Sequence, residues 1–380
     1  MIKSAYIHIP FCEHICHYCD FNKVFLKGQP VDDYLAMMTR EMQLQLDKYP
    51  TAGLDTIFVG GGTPTSLDEK QLAYLCDSIS EWMPMNAGAE YSFEANPGDL
   101  SREKLDIMFQ SGVNRLSFGV QSFNDELLKR IGRTHRAKEV YETIEKAQSV
   151  GFTNISIDLI YGLPGQTMDD FIETLDTALA LDLPHYSSYS LIVEPKTVFY
   201  NLMQKGKLNL PPQDLEARMY ELLMETMDRH GLYQYEISNF AKVGYESRHN
   251  LTYWNNDEYY GIGAGAHGYT AGRRIANHGP VKKYMAPLVD NELPVIENHL
   301  VPIHEQMEEE MFLGLRKTAG VSYAGFFDKF RVEMTDVFAK PLEKHIGKGL
   351  LFEKDGYVRL TKQGKLLGNE VFQEFLGLEK

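Results

Sequence analysis

Residues 5–19 of the chain read AYIHIPFCEHICHYC, and they place three cysteines directly behind an apolar run. The run is rich in isoleucine and tyrosine, so it predicts a β-strand over residues 4–10. Cys12, Cys16 and Cys19 follow at the spacing C-x-x-x-C-x-x-C, and His14 and His17 lie between them. Three thiols this close together indicate a metal site and leave open which group fills its fourth coordination position.

Two kinds of metal site compete for this loop. A structural zinc ion needs four closed ligands, which the three cysteines and either His14 or His17 would supply. Zinc loops usually provide their ligands as two separated pairs, however, and the sequence has no second pair. Three thiolates with one open position suit a [4Fe–4S] cluster, because soft sulfur ligands favour iron–sulfur sites. The spacing therefore favours a cluster, and zinc is the alternative.

The length, net charge and fourth cysteine of the chain indicate what kind of protein it is. A chain of 380 residues suggests one large domain and an appendage. The formal net charge of −15 (38 basic against 53 acidic residues) disfavours a nucleic-acid partner. The sequence has neither a membrane-span-like apolar run nor a secretory signal at its start, so we expect a cytoplasmic protein with free thiols. Cys76 shares a helical face with Leu72 and Ile79, which predicts a plain core position.

Strand-like and helix-like segments alternate as far as about residue 230. Six such β/α units predict a parallel sheet that is closed or partly closed as a barrel. The predicted strands cover residues 4–10, 56–60, 90–95, 115–121, 154–161 and 185–192. The predicted helices cover residues 31–48, 68–83, 101–110, 138–150, 168–181 and 215–229.

The alternation ends there, and two further regions follow. Residues 231–300 are rich in glycine and aromatic residues and predict loops and short strands that connect two domains. Residues 301–380 predict a helix, a hairpin around Lys354-Asp355-Gly356 and a closing helix. That order resembles a winged-helix module, for which packing or partner docking is a better interpretation than DNA binding in so acidic a chain. The predicted domains are thus 1–230, 231–300 and 301–380.

Polar or flexible residues follow the predicted strands at their carboxyl ends, where a β/α barrel carries its functional groups. After the first strand comes the cysteine loop, and after the second comes GGGTPT at residues 60–65. The next three strands bring Glu94, Gln121 and Asp158 to the same rim. We therefore expect one large cofactor to lie across it.

With the cysteine spacing and the GGGTPT motif in place, residues 4–230 resemble the radical S-adenosylmethionine (SAM) family. The resemblance implies an α/β fold, a partial (β/α)6 TIM-like barrel with a smaller C-terminal α+β appendage. It also implies that SAM fills the open position of the [4Fe–4S] cluster. Positions that match SAM-contacting residues of the anaerobic coproporphyrinogen III dehydrogenase branch are Tyr6, Tyr18, Gly61, Gly62, Thr63, Glu94, Gln121, Arg133 and Asp158.

Several of these positions also have a plain structural explanation. Gly61, Gly62 and Thr63 let a ligand approach the backbone closely, or they form a tight turn. Glu94 binds a cation or ribose hydroxyls, or it is a solvated strand end. Arg133 offers a bidentate fork to a carboxylate, or it is a surface arginine.

Two relatives share that branch. The dehydrogenase carries one more cysteine, where this chain has Phe21, and it has an extension before the first strand. Both departures count against dehydrogenase activity, which stays the alternative, together with a radical SAM enzyme that acts on an unrelated substrate.

The second relative is the HemW-type heme chaperone, whose marker H-N-x-x-Y-W is present as HNLTYW at residues 249–254. His249 is a candidate axial ligand of heme iron, Tyr253 and Trp254 are candidate walls for the macrocycle, and Arg248 is a candidate partner of a propionate. The structural alternative is a loop histidine bonded to the backbone. The resemblance implies a protein that carries heme to an acceptor protein and has no membrane span, with peripheral membrane association compatible with that role.

Overall fold

The structure, a computed structural model, describes residues 1–378. The chain forms two compact units, one made of residues 1–226 and 258–299 and the other of residues 227–257 and the C-terminal part from Leu300. We call them unit 1 and unit 2. Among the described residues, none of the helices has both the length and the apolar composition that crossing a bilayer requires.

The strands are β1 (Ser4–Ile9), β2 (Phe11–Cys12), β3 (Val24–Phe25), β4 (Leu54–Gly61), β5 (Met85–Ala95), β6 (Arg115–Gln121), β7 (Asn154–Tyr161), β8 (His185–Ser190), β9 (Tyr233–Glu236), β10 (Asn239–Ala241), β11 (Tyr260–Ile262), β12 (His267–Thr270), β13 (Arg273–Asn277), β14 (Val295–Leu300), β15 (Val321–Ser322), β16 (Leu351–Lys354) and β17 (Tyr357–Leu360).

The helices are α1 (Val31–Lys48), α2 (Glu69–Trp82), α3 (Arg102–Gln110), α4 (Asp125–Arg130), α5 (Ala137–Val150), α6 (Met168–Leu179), α7 (Val198–Gln204), α8 (Gln213–Arg229), α9 (Arg248–Trp254), α10 (Val281–Val289), α11 (Ile303–Gly314), α12 (Tyr323–Phe330), α13 (Met334–Gly347), α14 (Lys362–Leu366) and α15 (Gly368–Gln373). A short 3-10 helix covers Pro64–Ser66.

The sheet of unit 1 confirms the predicted alternation. Its strands are hydrogen-bonded in the order β11-β1-β4-β5-β6-β7-β8, and all these pairs are parallel. Two predicted strands and one predicted helix match the observed bounds in full, namely β6, β7 and α1. The barrel is partial, because the two neighbours of β1 are β4 and β11. The predicted fold class, an α/β partial barrel with a C-terminal appendage, is confirmed.

Local signals explain why these elements form where they do. Strand β7 is buried along most of its length, as a central parallel strand covered on both faces should be. Asp68 caps α2 by accepting a hydrogen bond from the Gln71 amide, and the Asp68 amide in turn donates to the Gln71 side-chain oxygen. Cys76 on α2 is fully buried, which confirms the prediction of a core position.

Residues 258–299 return to the barrel, whereas the sequence suggested a connecting region over 231–300. Strand β11 adds to the edge of the sheet by pairing in parallel with β1, and β12, β13 and β14 form a small sheet of their own. The buried carboxylate of Glu41 in α1 fixes this segment by accepting hydrogen bonds from the Gly263 amide (2.8 Å), the Asn277 side-chain amide (2.7 Å) and the Tyr284 hydroxyl (2.5 Å). Residues 227–257 belong to unit 2 instead.

Unit 2 has its own core, built from α11 to α15 and a sheet in the order β15-β17-β16. The predicted hairpin is confirmed, because β16 and β17 pair in antiparallel fashion around Asp355 and Gly356, both at positive φ. The predicted single closing helix is two helices, α14 and α15, separated at Leu367, whose ψ of 26° is not helical. Unit 2 is thus a C-terminal domain of helices and small sheets.

Candidate cofactor site

The loop that carries the three cysteines is closed at its base by backbone hydrogen bonds. Strands β2 and β3 pair in parallel, with the Val24 amide donating to the Pro10 carbonyl (2.8 Å) and the Leu26 amide to the Cys12 carbonyl (2.9 Å). Cys12 is buried, whereas Cys16 and Cys19 are half-buried. The loop therefore presents its thiols from one closed turn that directly follows β1.

Two of the sulfurs receive hydrogen bonds from outside the loop. The Thr63 hydroxyl donates to the Cys12 sulfur (3.7 Å), and the Arg133 guanidinium donates from Nη1 to the Cys16 sulfur (3.5 Å). Burial raises the pKa of the Cys12 thiol to about 11 and also raises the pKa of Cys19. A bound metal deprotonates coordinating thiols outright. Donors aimed at the sulfurs fit an iron–sulfur cluster, whose potential responds to such bonds.

The two histidines of the loop differ in their surroundings. His17 supports the loop, because its amide donates to the Ile131 carbonyl (3.0 Å) and its Nδ1 is 3.0 Å from the Arg130 carbonyl oxygen. His14 is exposed. Within residues 1–378, no three His, Cys, Asp or Glu side chains converge as they would around a single metal ion.

The backbone amides of the glycine turn after β4 all donate to other groups of the protein. The Gly61 amide donates to Glu94 (2.9 Å), the Gly62 amide to the Ile9 carbonyl (2.8 Å) and the Thr63 amide to the Phe11 carbonyl (2.8 Å). Gly61 has a φ of 111°, and a Cβ added there would meet His8 at 2.3 Å. What this turn can offer a ligand is therefore carbonyl oxygen, which suits an ammonium group and not a carboxylate.

Glu94 and Asp158 lie on neighbouring parts of the barrel interior. Burial raises the pKa of Glu94 to about 7, and the nearby charge of Asp158 adds to the rise. The hydrogen bond from the Gly61 amide opposes it. The pKa of Asp158 is also raised, again chiefly by burial, although Ser117 donates to its carboxylate at 3.1 Å. The two half-buried carboxyls are suited to accept hydrogen bonds from a polar ligand.

Gln121 stands at a β-bulge at the end of β6, with a φ of 68° that is uncommon for a residue with a side chain.

Arg133 is not a surface arginine. It donates to the Asn96 side-chain oxygen (2.8 Å) and to the Gly119 carbonyl, in addition to the Cys16 sulfur. The N–H groups of its guanidinium therefore already donate to the protein itself.

A polar cavity lies beside Cys16. Asn96 organises one wall, because its amide donates to the Thr63 hydroxyl (3.0 Å) and to Asp99 (3.1 Å). The site prediction omitted Asn96, Asp99 and His135, although Asn96 and Asp99 belong to the EANPGD motif at a strand end. The cavity is lined in part by Cys16, Thr63, Asn96, Asp99, Arg133 and His135.

The two tyrosines assigned to SAM differ in their surroundings. Tyr6 is on β1, its hydroxyl is 2.9 Å from His8 Nδ1, and its ring stacks on Phe58 with 6.3 Å between centroids. Tyr18 packs against an apolar cluster that includes Leu128 and Phe199. Core packing accounts for the position of Tyr18, and burial raises its pKa.

The HNLTYW motif forms the short helix α9 of unit 2 and is not a loop. Ser247 caps the helix by accepting a hydrogen bond from the Asn250 amide (3.2 Å). His249 is only 1% exposed, and its Nε2 is 2.8 Å from the Tyr253 hydroxyl one turn later. Burial lowers the pKa of His249 to about 3, so the imidazole is neutral.

Trp254 ends the helix beside an arginine of the same unit. The Arg316 guanidinium carbon lies 4.6 Å from the centroid of the Trp254 ring, a cation–π contact. The Trp254 indole nitrogen is buried without a hydrogen-bond acceptor. Arg248 is exposed. A buried donor that lacks an acceptor is costly, and a ligand with an acceptor group would satisfy it.

Known proteins match this chain in sequence and in fold. The radical SAM superfamily model matches residues 6–178, and the model for the HemN C-terminal domain matches residues 301–367. The chain is 57% identical to heme chaperone HemW of Bacillus subtilis over 99% of this chain and 100% of the relative. It is 34% identical to heme chaperone HemW of Escherichia coli over 98% of each.

The solved structure of coproporphyrinogen III oxidase (HemN) from Escherichia coli, a radical SAM enzyme, has a TM-score of 0.85 over 98% of this chain and 90% of that one. At 23% identity this likeness establishes the fold. The sequence relatives go further, because several exceed 30% identity along nearly the whole length. The chain therefore belongs to the radical SAM superfamily and, within it, to the family of heme chaperone HemW.

Proposed function

We propose that this protein binds heme and delivers it to an acceptor protein, and that it keeps a [4Fe–4S] cluster and SAM in unit 1. The observation that carries the proposal is the 57% identity, over the full length, to a relative named heme chaperone HemW. The HNLTYW helix with its buried unsatisfied indole N–H supports it from the structure.

Cys12, Cys16 and Cys19 would hold the cluster. Hydrogen bonds to two of the sulfurs from Thr63 and Arg133 support a cluster that leaves one iron open. The open iron supplies a coordination site for the methionine end of SAM. For SAM itself, the carbonyl oxygens of the Gly61–Thr63 turn would accept from the ammonium, and the remaining proposed contacts are Tyr6, Tyr18, Glu94, Gln121, Arg133 and Asp158.

The proposed heme contacts are His249, Tyr253 and Trp254. Axial ligation by His249 requires its hydrogen bond to Tyr253 to open, because the imidazole is otherwise enclosed. The Trp254 indole N–H would then donate to an acceptor on the ligand, such as a propionate. The acceptor protein has no signature in this chain, and a cytoplasmic location with no nucleic-acid partner remains part of the proposal.

The rival function is oxidation of coproporphyrinogen III, the activity named for the HemN structure. Its fold is the same, so the fold does not separate the two. Phe21 stands where the dehydrogenase signature has a cysteine, and it is 57% exposed. This departure from the dehydrogenase signature favours heme carriage.

One experiment separates the two functions. The anaerobically reconstituted, reduced protein receives either coproporphyrinogen III with SAM or heme alone. We expect no protoporphyrinogen IX and about one heme bound per chain, observed as a Soret band. Formation of protoporphyrinogen IX would move the protein to the dehydrogenase function, and failure to bind any tetrapyrrole would favour a radical SAM enzyme with an unrelated substrate.

A further inference from the structure

We infer that Asn22 is a positioning residue that fixes the cysteine loop to the returning segment 258–299, so that this segment completes the cluster site. The inference rests on the proposed cluster at Cys12, Cys16 and Cys19. The segment that it adds to the site, residues 258–299, lies outside the part of the chain that the radical SAM superfamily model matches, residues 6–178.

The side chain of Asn22 donates hydrogen bonds to two backbone segments that lie far from it in sequence. Its Nδ2 donates to the Ala264 carbonyl (2.7 Å) and to the Gly279 carbonyl (2.9 Å). The Asn22 carbonyl lies 2.7 Å from His8 Nε2 on β1. One residue thus connects the end of the cysteine loop to β1 and to both parts of the returning segment.

Glycines make room for this side chain. A Cβ added to Gly265 would meet the Asn22 side chain at 2.7 Å, and one added to Gly279 would meet it at 3.1 Å. Gly265 also has a φ of 75°, which a residue with a side chain adopts rarely. The pocket therefore fits asparagine and leaves no space for larger neighbours.

The two acceptor carbonyls are themselves held in place. The Tyr34 hydroxyl donates to the His8 carbonyl (2.8 Å) and accepts from the Ala264 amide (3.0 Å). The Gly265 amide donates to the His278 carbonyl (3.0 Å), which ties the stretch around Ala264 to the stretch before Gly279. Because these groups are fixed, Asn22 docks on a preformed pair of acceptors.

Cys19 depends on this anchor because it lies between two attachments of the loop. His17 attaches the loop to the end of α4, through the Arg130 and Ile131 carbonyls. Asn22 attaches it on the other side, three residues after Cys19. Without the Asn22 side chain, this end of the loop keeps its contacts to β1 and to the β2 segment, through the Asn22 carbonyl and the Val24 amide, but it loses its attachment to the returning segment. Cys19 itself then has local contacts, from its amide to Cys16 and from Lys23 to its carbonyl.

The test compares Asn22→Asp with Cys76→Ser in the full chain after anaerobic reconstitution. Asparagine and aspartate have nearly the same shape, so the change replaces the two donated hydrogen bonds with a carboxyl oxygen that faces the Ala264 and Gly279 carbonyl oxygens. Cys76→Ser perturbs the buried core of α2 and serves as a control for lost stability. Iron release to a chelator, the cluster's electron paramagnetic resonance spectrum and the melting temperature are measured for both, and Gly265→Ala tests the same contact from the opposite side.

We expect iron to leave Asn22→Asp and Gly265→Ala at least about fivefold faster than their melting temperatures alone would explain, on the scale that Cys76→Ser sets, and with an altered cluster spectrum. Release from Cys76→Ser should follow its melting temperature alone. Release from Asn22→Asp at the unchanged rate, or one that its melting temperature fully explains as in Cys76→Ser, would overturn the inference. If the unchanged protein itself takes up no cluster, the proposed function fails instead.

Discussion

The Arg133 guanidinium lies 3.5 Å from the Cys16 sulfur, measured from Nη1, and the same side chain holds Asn96 through Nη2 at 2.8 Å. A fixed cation beside a thiolate stabilises its negative charge. Arg133 is half-buried and already donates to these partners, so it acts on the cysteine loop more directly than as a free fork for a ligand carboxylate. This contact links the strand-end polar residues to the predicted cluster.

Replacing Arg133 with methionine should lower the reduction potential of the bound cluster. Reduction adds negative charge, and the lost cation no longer offsets it. We expect a shift of roughly 20–60 mV, equivalent to about 0.5–1.4 kcal/mol for one electron. A redox titration followed by electron paramagnetic resonance measures it. Lys138→Met, which removes an exposed cation, is the control, and equal potentials in both variants would contradict the prediction.

Serine at any of Cys12, Cys16 or Cys19 should abolish cluster binding, since a hydroxyl is a poor ligand for iron–sulfur clusters. Anaerobic reconstitution of the unchanged protein should give about four irons and four sulfides per chain. Cys76→Ser should retain that iron content, because Cys76 is buried in α2. Stoichiometric zinc in the anaerobically purified protein would exclude the cluster.

Alanine at Glu94 or Asp158 should weaken SAM binding by roughly 1–3 kcal/mol each, if these half-buried carboxyls accept hydrogen bonds from SAM. Equilibrium binding to the reconstituted protein gives the affinity, and the change that SAM causes in the cluster's spectrum reports on its position. Glu103→Ala on the exposed side of α3 is the control. Unchanged affinity in both variants would mean that the SAM site lies elsewhere.

The sequence predicted best those elements whose signals are local. The buried apolar runs of β6 and β7 and the long amphipathic α1 were predicted to the residue, because periodicity and burial are written in adjacent positions. The cysteine loop and the polar strand ends were predicted for the same reason. Their common rim follows from the parallel order of the strands.

Contacts between residues far apart in the chain could not be predicted from the sequence. Nothing local indicates that β11 pairs with β1 or that Asn22 bonds to a carbonyl 242 positions away. Burial of His249 was missed because the helix α9 is short and polar in sequence. The internal use of the Gly61, Gly62 and Thr63 amides depends on partners on β1, β5 and the loop, so the glycine motif alone did not reveal it.

Stability should depend on pH through Glu41. Burial, opposed by hydrogen bonds from Tyr284, Gly263 and Asn277, raises the pKa of its carboxyl from 4.5 to about 7. Between these values the folded protein retains a proton that the unfolded chain has lost, so the free energy of unfolding falls as pH rises. The loss amounts to up to about 3 kcal/mol by pH 8.

Glu41→Gln cannot ionise and should lack this component. Denaturant midpoints of both proteins at pH 5 and pH 8 measure it, and the difference between the two proteins isolates Glu41 from other titrating groups. The unchanged protein should lose stability relative to Glu41→Gln as the pH increases. A difference that is the same at both pH values would refute the assigned pKa.

Because His249 and Tyr253 are hydrogen-bonded to each other, replacing them should change heme affinity in opposite directions. If the imidazole is the heme ligand, its Nε2 must first leave the Tyr253 hydroxyl, which is 2.8 Å away. Tyr253→Phe removes that competing bond while keeping the ring, so heme should bind roughly two- to tenfold more tightly, in line with about 0.5–1.5 kcal/mol for one hydrogen bond. His249→Ala should weaken binding and change the Soret band, because alanine cannot ligate iron.

Heme titrations of both variants, with His230→Ala as an exposed control, decide between ligands. Trp254→Ala should weaken binding more gently, since an aromatic wall contributes only roughly 0.5–1.5 kcal/mol beyond its buried area. If Tyr253→Phe abolishes the Soret change and His249→Ala preserves it, the phenol oxygen is the axial ligand and the histidine supports it from behind. Tight binding unaffected by either change would place the heme away from α9 altogether.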